Sequence, residues 1–88
     1  MKKHISNYFK RFNIGEQDIV YSELSGSPAN DLHHIEFGRF KRSDEVENII
    51  ALTREEHNLA HGILKKDEKR LTREYLQRKH NEYMARTN

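Results

Sequence analysis

The segment TREEHNLAHG, residues 53 to 62, carries the start and stop signals of one short helix. Thr53 and Glu56 form the Ser/Thr-x-x-Glu pattern of a capping box, in which each side chain accepts from the other residue's backbone N–H. Gly62 is suited to end the helix, because glycine readily adopts the left-handed conformation that follows a helix. His57 and His61 lie one turn apart on one face, so a single ion could bind both side chains.

Composition limits how such a helix can be held in a fold. The chain has 88 residues, enough for one domain, and only 34% of them are hydrophobic, so the core must be small. A bound metal or a second subunit would add stability. The sequence has no cysteine, which excludes disulfides and thiolate sites, so a metal ion would be held by histidine and carboxylate.

Charge and hydropathy narrow the possible partners. The net charge is only +2, yet the basic residues occur in runs, and a local basic patch can attract a polyanion. A solvated surface is the more common reason for such runs. The lysines at the N-terminus are not followed by the apolar run of a signal peptide, and no stretch approaches the roughly 20 apolar residues of a membrane span. We therefore expect a cytoplasmic protein with no membrane partner.

The first half of the chain predicts a helix followed by a hairpin. Residues 3 to 12 have apolar side chains at helical spacing, and we expect this helix to stop near Gly15. Residues 19 to 24, IVYSEL, alternate like a strand, and residues 31 to 35, DLHHI, form the expected returning strand after a turn-rich segment. The sequence thus predicts a β-hairpin that ends at the adjacent histidines.

The second half predicts a loop, an apolar step and two helices. Residues 36 to 47 are polar and are interpreted as a loop facing a ligand, and NIIAL then either pairs as a strand or packs beneath the site. After the capped helix, residues 67 to 86 predict a charged final helix. Its apolar stripe is too irregular for a coiled coil, so packing on the core is favoured over dimerisation; it comprises Leu71, Tyr75, Leu76, Tyr83 and Met84.

Histidines dominate the candidate functional residues. A lone histidine on a helix is usually a surface or hydrogen-bonded residue, and His4 and His80 are interpreted in that way. The remaining histidines follow a distinctive order: a pair ending a hairpin, a polar loop, Asn48, an apolar step, and a capped helix with His-x3-His. This order resembles the HNH endonucleases, whose ββα-metal motif has the same parts. The resemblance covers residues 19 to 64 and rests on His33, His34, Asn48, His57 and His61.

The resemblance implies an α+β fold, in which a small ββα-metal motif is flanked by an N-terminal and a C-terminal helix. Residues 1–88 would form a single nuclease domain. Within it, residues 1–18 would be the N-terminal helix and lead-in, residues 19–64 the motif, and residues 65–88 the C-terminal helix.

The resemblance also implies a function: metal-dependent hydrolysis of DNA phosphodiester bonds, leaving a 5′-phosphate and a 3′-hydroxyl. His33, His57 and His61 would bind one divalent cation, His34 would be the general base, and Asn48 would brace the loop and help orient the base. Three imidazoles leave coordination positions open, and a histidine can take a proton at neutral pH. Neighbouring side chains of a strand point to opposite faces, so both histidines can reach one site only if the chain bends there. Spacing alone does not tell which of them is the ligand and which is the base.

The metal is left open among Zn²⁺, Ni²⁺, Mn²⁺, Co²⁺ and Mg²⁺, of which Mg²⁺ fits three nitrogens least well. Many HNH relatives also hold a structural zinc with two Cys-x-x-Cys pairs. The matching positions here are Ser22, Ser25, Thr53 and Glu56, so we expect one metal rather than two.

DNA is the expected partner, and the small stand-alone form is typical of phage and prophage proteins, some of which act beside the DNA-packaging terminase. An alternative is a non-catalytic module, stabilised by metal, that binds nucleic acid or protein. Asp31 could orient a metal-bound imidazole or cap a turn, and Phe37 and Phe40 could anchor the loop or touch a base. Candidate phosphate contacts are Arg39, Lys41, Arg42 and Arg54.

Overall fold

The computed structural model describes residues 1–38 and 42–87. Within these ranges three α-helices surround a two-stranded antiparallel sheet, the small α+β fold that the sequence predicts. None of these helices is long and apolar enough to cross a membrane. Along the chain the elements are α1 (Lys3–Arg11), β1 (Asp31–His34), a 3-10 turn (Val46–Asn48), β2 (Ile49–Leu52), α2 (Arg54–Ala60) and α3 (Arg73–Arg86).

β2 is the centre of the core, and all of its residues are buried. Successive side chains of a strand point to opposite faces, so this strand contributes to two apolar clusters. Ile49 and Ala51 pack beside Tyr8 of α1. The opposite face of β2 contributes to the second cluster, formed by Ile35, Ile50, Leu52, Ala60 and Leu76.

The register of the sheet separates the adjacent histidines. His33 is paired with Ile50, and His34 with Ile49. Residues directly opposite each other in an antiparallel pair project from the same face. His33 therefore lies on the α2 side of the sheet with Ile50, and His34 lies on the α1 side with Ile49.

The predicted hairpin between residues 19–24 and 31–35 is wrong, because β1 pairs with β2. The apolar step that was expected either to pair or to pack is the true partner strand. Ser22 breaks the predicted first strand: its Oγ accepts from the backbone N–H of Leu24 at 3.1 Å and of Ser25 at 3.2 Å, which turns the chain. Only an isolated bridge between Tyr21 and Pro28 is formed in this segment.

The predicted helix start and stop signals are best confirmed at α2. Both hydrogen bonds of the Thr53–Glu56 capping box are present. Gly62 follows the helix with a φ of 77°. Its N–H donates to Leu59 O at 3.2 Å, and the next N–H donates to Asn58 O at 2.9 Å, the pair of bonds that defines a Schellman motif.

The flanking helices are shorter than predicted. α1 ends at Arg11, and the chain turns at Asn13, whose φ is 54°, before Gly15 is reached. α3 begins after Thr72, whose side chain accepts from the Tyr75 N–H at 3.1 Å, so the predicted start at residue 67 is wrong. Asp67 cannot belong to a right-handed helix, because its φ is 69°.

A buried polar network joins α1 and α3 to the sheet; we call it the Glu23 network. Tyr8 Oη donates to Glu23 Oε2 at 2.6 Å, and His80 Nδ1 lies 2.7 Å from Glu23 Oε1. His80 Nε2 donates to the backbone oxygen of Val46 at 2.6 Å. Both His80 and Glu23 have side chains that are 0% exposed, so these contacts replace water completely.

Candidate functional site

The first histidine group contains His33, His57 and His61, and we call it the His33 cluster. β1 supplies the first of these residues, and α2 with its C-cap supplies the others. One potential ligand atom from each residue lies within 4.8 Å of the other two. It is thus His33, and not its neighbour on the other face of β1, that joins the helix pair.

The ring geometry of the His33 cluster fits a shared ion. The ring centroids are 5.1 Å apart for His33 and His57, 5.1 Å for His33 and His61, and 4.6 Å for His57 and His61. Two imidazoles bound to one tetrahedral ion, each with a metal–nitrogen distance of about 2.0–2.1 Å, place their centroids roughly 5 Å apart. Little movement would be needed to close the cluster around a cation.

The electrostatics of the cluster favour the neutral forms of His33 and His61. Burial, reinforced by His57 and then His61, lowers the pKa of His33 to about 4. Burial and His57 also lower the pKa of His61. A neutral imidazole has the free lone pair that a metal ion needs. At neutral pH His33 and His61 therefore present lone pairs rather than positive charges.

Asp31 stands behind the cluster. Its Oδ2 is 3.1 Å from His57 Nδ1 and 3.5 Å from Arg54 Nε. Among the described residues, this buried oxygen has no well-formed hydrogen bond. With Nδ1 of His57 facing the carboxylate, Nε2 is left for an ion, and a carboxylate behind a ligating imidazole is the usual support of a metal-bound histidine. The orphaned oxygen thus fits a cation held by the His33 cluster.

The second group, which we call the His34 cluster, contains His4, His34 and Asp44. The rings of His4 and His34 are 4.5 Å apart, and Asp44 Oδ1 lies 2.9 Å from His34 Nε2. Arg42 Nε lies 3.3 Å from the same ring nitrogen. One nitrogen cannot both donate to Asp44 and accept from Arg42, and the shorter distance favours donation to Asp44. In that tautomer Nδ1 of His34 keeps its lone pair.

The pKa shifts around His34 agree with this arrangement. The hydrogen bond from His34 lowers the pKa of Asp44, so that carboxylate stays charged. Burial, followed by the proximity of the His34 ring, lowers the pKa of His4. Sequence reasoning assigned no role to Asp44 and treated His4 as an ordinary surface or hydrogen-bonded residue. Nothing in the local spacing of either residue points to His34.

Asn48 closes the loop between the strands. Its Oδ1 accepts from Glu36 N at 2.7 Å, while its Nδ2 donates to Glu36 O at 3.0 Å and to Ser43 O at 2.8 Å. The buried amide therefore joins the two ends of the loop that follows His34. It bonds to the backbone beyond the histidine and makes none of these bonds to the ring itself.

A cleft of about 720 Å³ opens over both histidines of β1. Phe37 forms one wall, with its ring 5.3 Å from His61 and 6.0 Å from His33. Arg73 lies over Phe37 at 4.5 Å, so this side chain anchors the start of the loop. The lining residues are Leu32, His33, His34, Phe37, Gly38, Arg42, His57 and His61.

The candidate phosphate contacts are only partly accounted for. Arg42 is exposed and lines the cleft. The side chain of Arg54 is 62% exposed, beside Asp31. Arg39, Phe40 and Lys41 lie outside the described residues. Of the four candidates, Arg42 and Arg54 therefore lie within the described residues, and both have exposed guanidinium groups.

Ser22, Thr53 and Glu56, which were matched to zinc-binding cysteines of HNH relatives, lie together and form hydrogen bonds with each other. Ser22 Oγ donates to Glu56 Oε1 at 2.6 Å, and Thr53 N donates to the same oxygen at 2.8 Å. Burial acts to raise the pKa of Glu56, but hydrogen bonds from Ser22, Thr53 and Ser25 outweigh it and lower the pKa. A charged carboxylate thus links the turn at Ser22 to the start of α2.

In comparisons with protein-family models, curated proteins and solved structures, none was found to match this chain.

Proposed function

We propose that this chain is a metal-dependent DNA endonuclease and that the cleft over β1 is its active site. One observation carries the proposal: the His33 cluster and the carboxylate-paired His34 border the same cleft but belong to different groups. Phosphodiester hydrolysis needs a positive centre and a separate proton acceptor. The adjacent histidines of one strand can fill these different roles because they project from opposite faces.

The order β1, β2, α2 supports a ββα-metal reading of the fold. In this reading, β1 and α2 supply the cation ligands, and the loop between the strands closes through Asn48. When bound, a divalent cation would polarise the phosphate and stabilise charge on the departing oxygen. His33, His57 and His61 would hold it, with Asp31 behind His57.

His34 would act as general base through Nδ1. Asp44 accepts a hydrogen bond from the Nε2–H group, which leaves Nδ1 to take a proton from the attacking water. The water oxygen would bond to phosphorus, and the bond from phosphorus to the 3′ oxygen would break. The departing 3′ oxygen would take a proton from solvent water, leaving a 5′-phosphate and a 3′-hydroxyl. Such general-base assistance contributes typically about 10²–10⁴-fold in rate. Asp44 is a positioning residue, because it acts only through His34.

The surroundings of the cleft support a polyanionic substrate. Arg42 lines the cleft and is exposed, and Arg54 presents an exposed guanidinium group beside Asp31. A guanidinium group can donate two parallel hydrogen bonds to one phosphate. Arg39 and Lys41 remain further candidates for phosphate contact. We propose that the protein is encoded by a phage or prophage and acts in the cytoplasm of the bacterial host, beside terminase proteins.

The alternative, a non-catalytic metal-stabilised module, is less well supported. Structural zinc sites are typically closed by four protein ligands, whereas catalytic sites have three protein ligands and an open position. The His33 cluster has three members and faces an open cleft. The nearest further histidine on β1, His34, is engaged with Asp44 instead.

Plasmid cleavage tests the proposal. Supercoiled DNA would be incubated with wild-type, His34→Ala or His57→Ala protein and with Mg²⁺, Mn²⁺, Ni²⁺, Zn²⁺ or EDTA, then analysed on a gel. We expect metal-dependent nicking or linearisation by the wild type and a loss of about 10²–10⁴-fold for His34→Ala.

Metal binding, measured in parallel by calorimetry, supplies the control. His34→Ala retains the His33 cluster and should still bind an ion there, whereas His57→Ala should lose both that ion and cleavage. Undiminished cleavage by His34→Ala would rule out the assigned base. An intact plasmid with every metal, together with a raised melting temperature, would instead support the non-catalytic module.

A further inference from the structure

The His34 cluster contains more than a base and its partner. His4 comes from α1, His34 from β1, and Asp44 from the loop before the 3-10 turn. One potential ligand atom from each lies within 4.8 Å of the other two, the same proximity as in the His33 cluster. We propose that His4, His34 and Asp44 form a second divalent-metal site, on the α1 side of the sheet.

The distances allow an ion to replace the proton between two of these groups. His34 Nε2 and Asp44 Oδ1 are 2.9 Å apart. Nitrogen and oxygen ligands at about 2.0–2.2 Å from one tetrahedral ion are roughly 3.4 Å apart, so the two groups would separate only slightly. The ring of His4, 4.5 Å from that of His34, would then need only a small rotation to add its nitrogen.

The donor set identifies the class of ion. Two imidazoles and one carboxylate suit Zn²⁺, Ni²⁺ or Co²⁺, whereas Mg²⁺ and Ca²⁺ prefer oxygen ligands. The Asp44 side chain is 39% exposed, so an ion from solvent can reach the cluster.

The fold holds the three residues in place before an ion binds. Asn7 lies one turn after His4 on the same side of α1, and its Nδ2 donates to the backbone oxygen of Asp44 at 2.9 Å. This bond attaches the loop to the helix that carries His4. His34 is fixed independently by its pairing with Ile49 in the sheet.

Within residues 1–38 and 42–87, two positive side chains oppose binding. Arg42 lies beside His34, and both Lys2 and Arg42 lower the pKa of His4. Arg42 is exposed, so its side chain can swing into solvent when an ion arrives. The His33 cluster has the additional support of Asp31. We therefore expect the second ion to bind more weakly than the first.

Occupancy of this site would have a regulatory consequence, which rests on the proposed nuclease function. An ion bound to Nε2 of His34 would take the place of the proton there, and the neutral imidazole would then carry its proton on Nδ1. Nδ1 would no longer have the lone pair that accepts a proton from water. Excess transition metal would inhibit the enzyme, although a lower concentration of the same metal supports it.

Calorimetric titration of the tag-free protein with Zn²⁺ tests the site itself. We expect two ions for the wild type, one for His4→Ala, one for His57→Ala, and none for the double variant. Asp44→Asn, which preserves side-chain shape, provides a second way to remove a ligand, and Asp67→Asn is the matched control that should still bind two. Circular dichroism checks that each variant is folded. A wild type that binds one ion, or a His4→Ala protein that binds two, overturns the proposal.

Cleavage assays test the consequence separately. For each protein, the rate at high Zn²⁺ is divided by its own rate at the optimal concentration. We expect this ratio to fall for the wild type and to fall less for His4→Ala. An equal fall in both would overturn the inhibitory role. The titration tests metal binding whether or not the protein cuts DNA, so failure of the site and failure of the nuclease proposal are distinguishable.

Discussion

The Glu23 network and the His33 cluster use buried histidines in opposite ways. In the Glu23 network both ring nitrogens of His80 contact protein groups, at 2.7 Å to Glu23 and 2.6 Å to Val46. In the His33 cluster the rings face one another across centroid distances of 4.6 to 5.1 Å. His33 is only 5% exposed, yet its neighbours are further imidazoles with the same need for partners.

The difference separates a fold-stabilising histidine from a ligand-binding one. Buried polar groups are nearly always hydrogen-bonded in native proteins, and His80 meets that requirement within the chain. Imidazoles that converge on one point, with the Asp31 carboxylate behind one of them, would meet it by binding a cation. The small apolar core makes both arrangements useful, because each joins elements distant in sequence.

The largest effect should come from breaking the Glu23 network. His80→Ala would leave the Glu23 carboxylate buried beside Tyr8 without its imidazole partner. A buried polar group that loses its hydrogen-bond partner typically costs about 1–3 kcal/mol, and more if it is charged. We expect a loss of this size in the free energy of unfolding, measured by urea denaturation in EDTA.

Glu82→Ala is the matched control for that prediction. Glu82 lies on the same helix, where it forms an exposed pair with Lys79 at 3.7 Å. Exposed pairs contribute about 0–1 kcal/mol, so this variant should be nearly as stable as the wild type. If His80→Ala were equally mild, α3 would be held by apolar packing alone and the contrast with the His33 cluster would weaken.

Sequence predicted those parts of the site that depend on local spacing. The capping box at Thr53, the glycine after α2 and the shared face of His57 and His61 all depend on residues a few positions apart. Such local signals do not depend on how the rest of the chain packs. The meeting of His33 with the helix pair was expected only from the resemblance to HNH endonucleases, because it requires strand register that no local spacing encodes.

Long-range pairing explains what the sequence did not predict. The segment IVYSEL has strand-like alternation, but the side-chain hydrogen bonds of Ser22 turn it, and the buried step at residues 49–52 pairs with β1 instead. His80 meets Glu23 across 57 positions. His4 likewise reaches His34 only through the docking of α1, and Asp44 reaches it through the closed loop between the strands. Tertiary packing decides each of these contacts.

A smaller effect is expected at the His33 cluster, on its affinity for a metal ion. Asp31→Asn removes the carboxylate charge behind His57 with little change in shape. Loss of such a partner typically weakens metal affinity about 10–100-fold. Calorimetry with Ni²⁺ should show this loss at the tighter site, while Asp67→Asn, an exposed control, should leave affinity unchanged. Equal affinities for Asp31→Asn and the wild type would show that Asp31 only caps the turn.

The smallest effect concerns pH. Burial and the neighbouring imidazoles lower the pKa of folded His33 to about 4, against 6.5 in the unfolded chain. Between these values the unfolded chain binds a proton at this site that the folded protein does not bind. In EDTA, the His33 contribution to stability should be complete above pH 6.5 and be lost as the pH falls towards 4, with a slope of at most about 1.4 kcal/mol per pH unit.

Comparison with His33→Gln, which cannot titrate, isolates that contribution from the carboxylates that also titrate at acid pH. Urea denaturation at several pH values should show a shallower decline for His33→Gln than for the wild type. His61→Gln should change the slope less, because His61 is exposed although its pKa is also lowered. Identical slopes for His33→Gln and the wild type would mean that His33 is as well satisfied without metal as His80 is, and the distinction between the two regions would then fail.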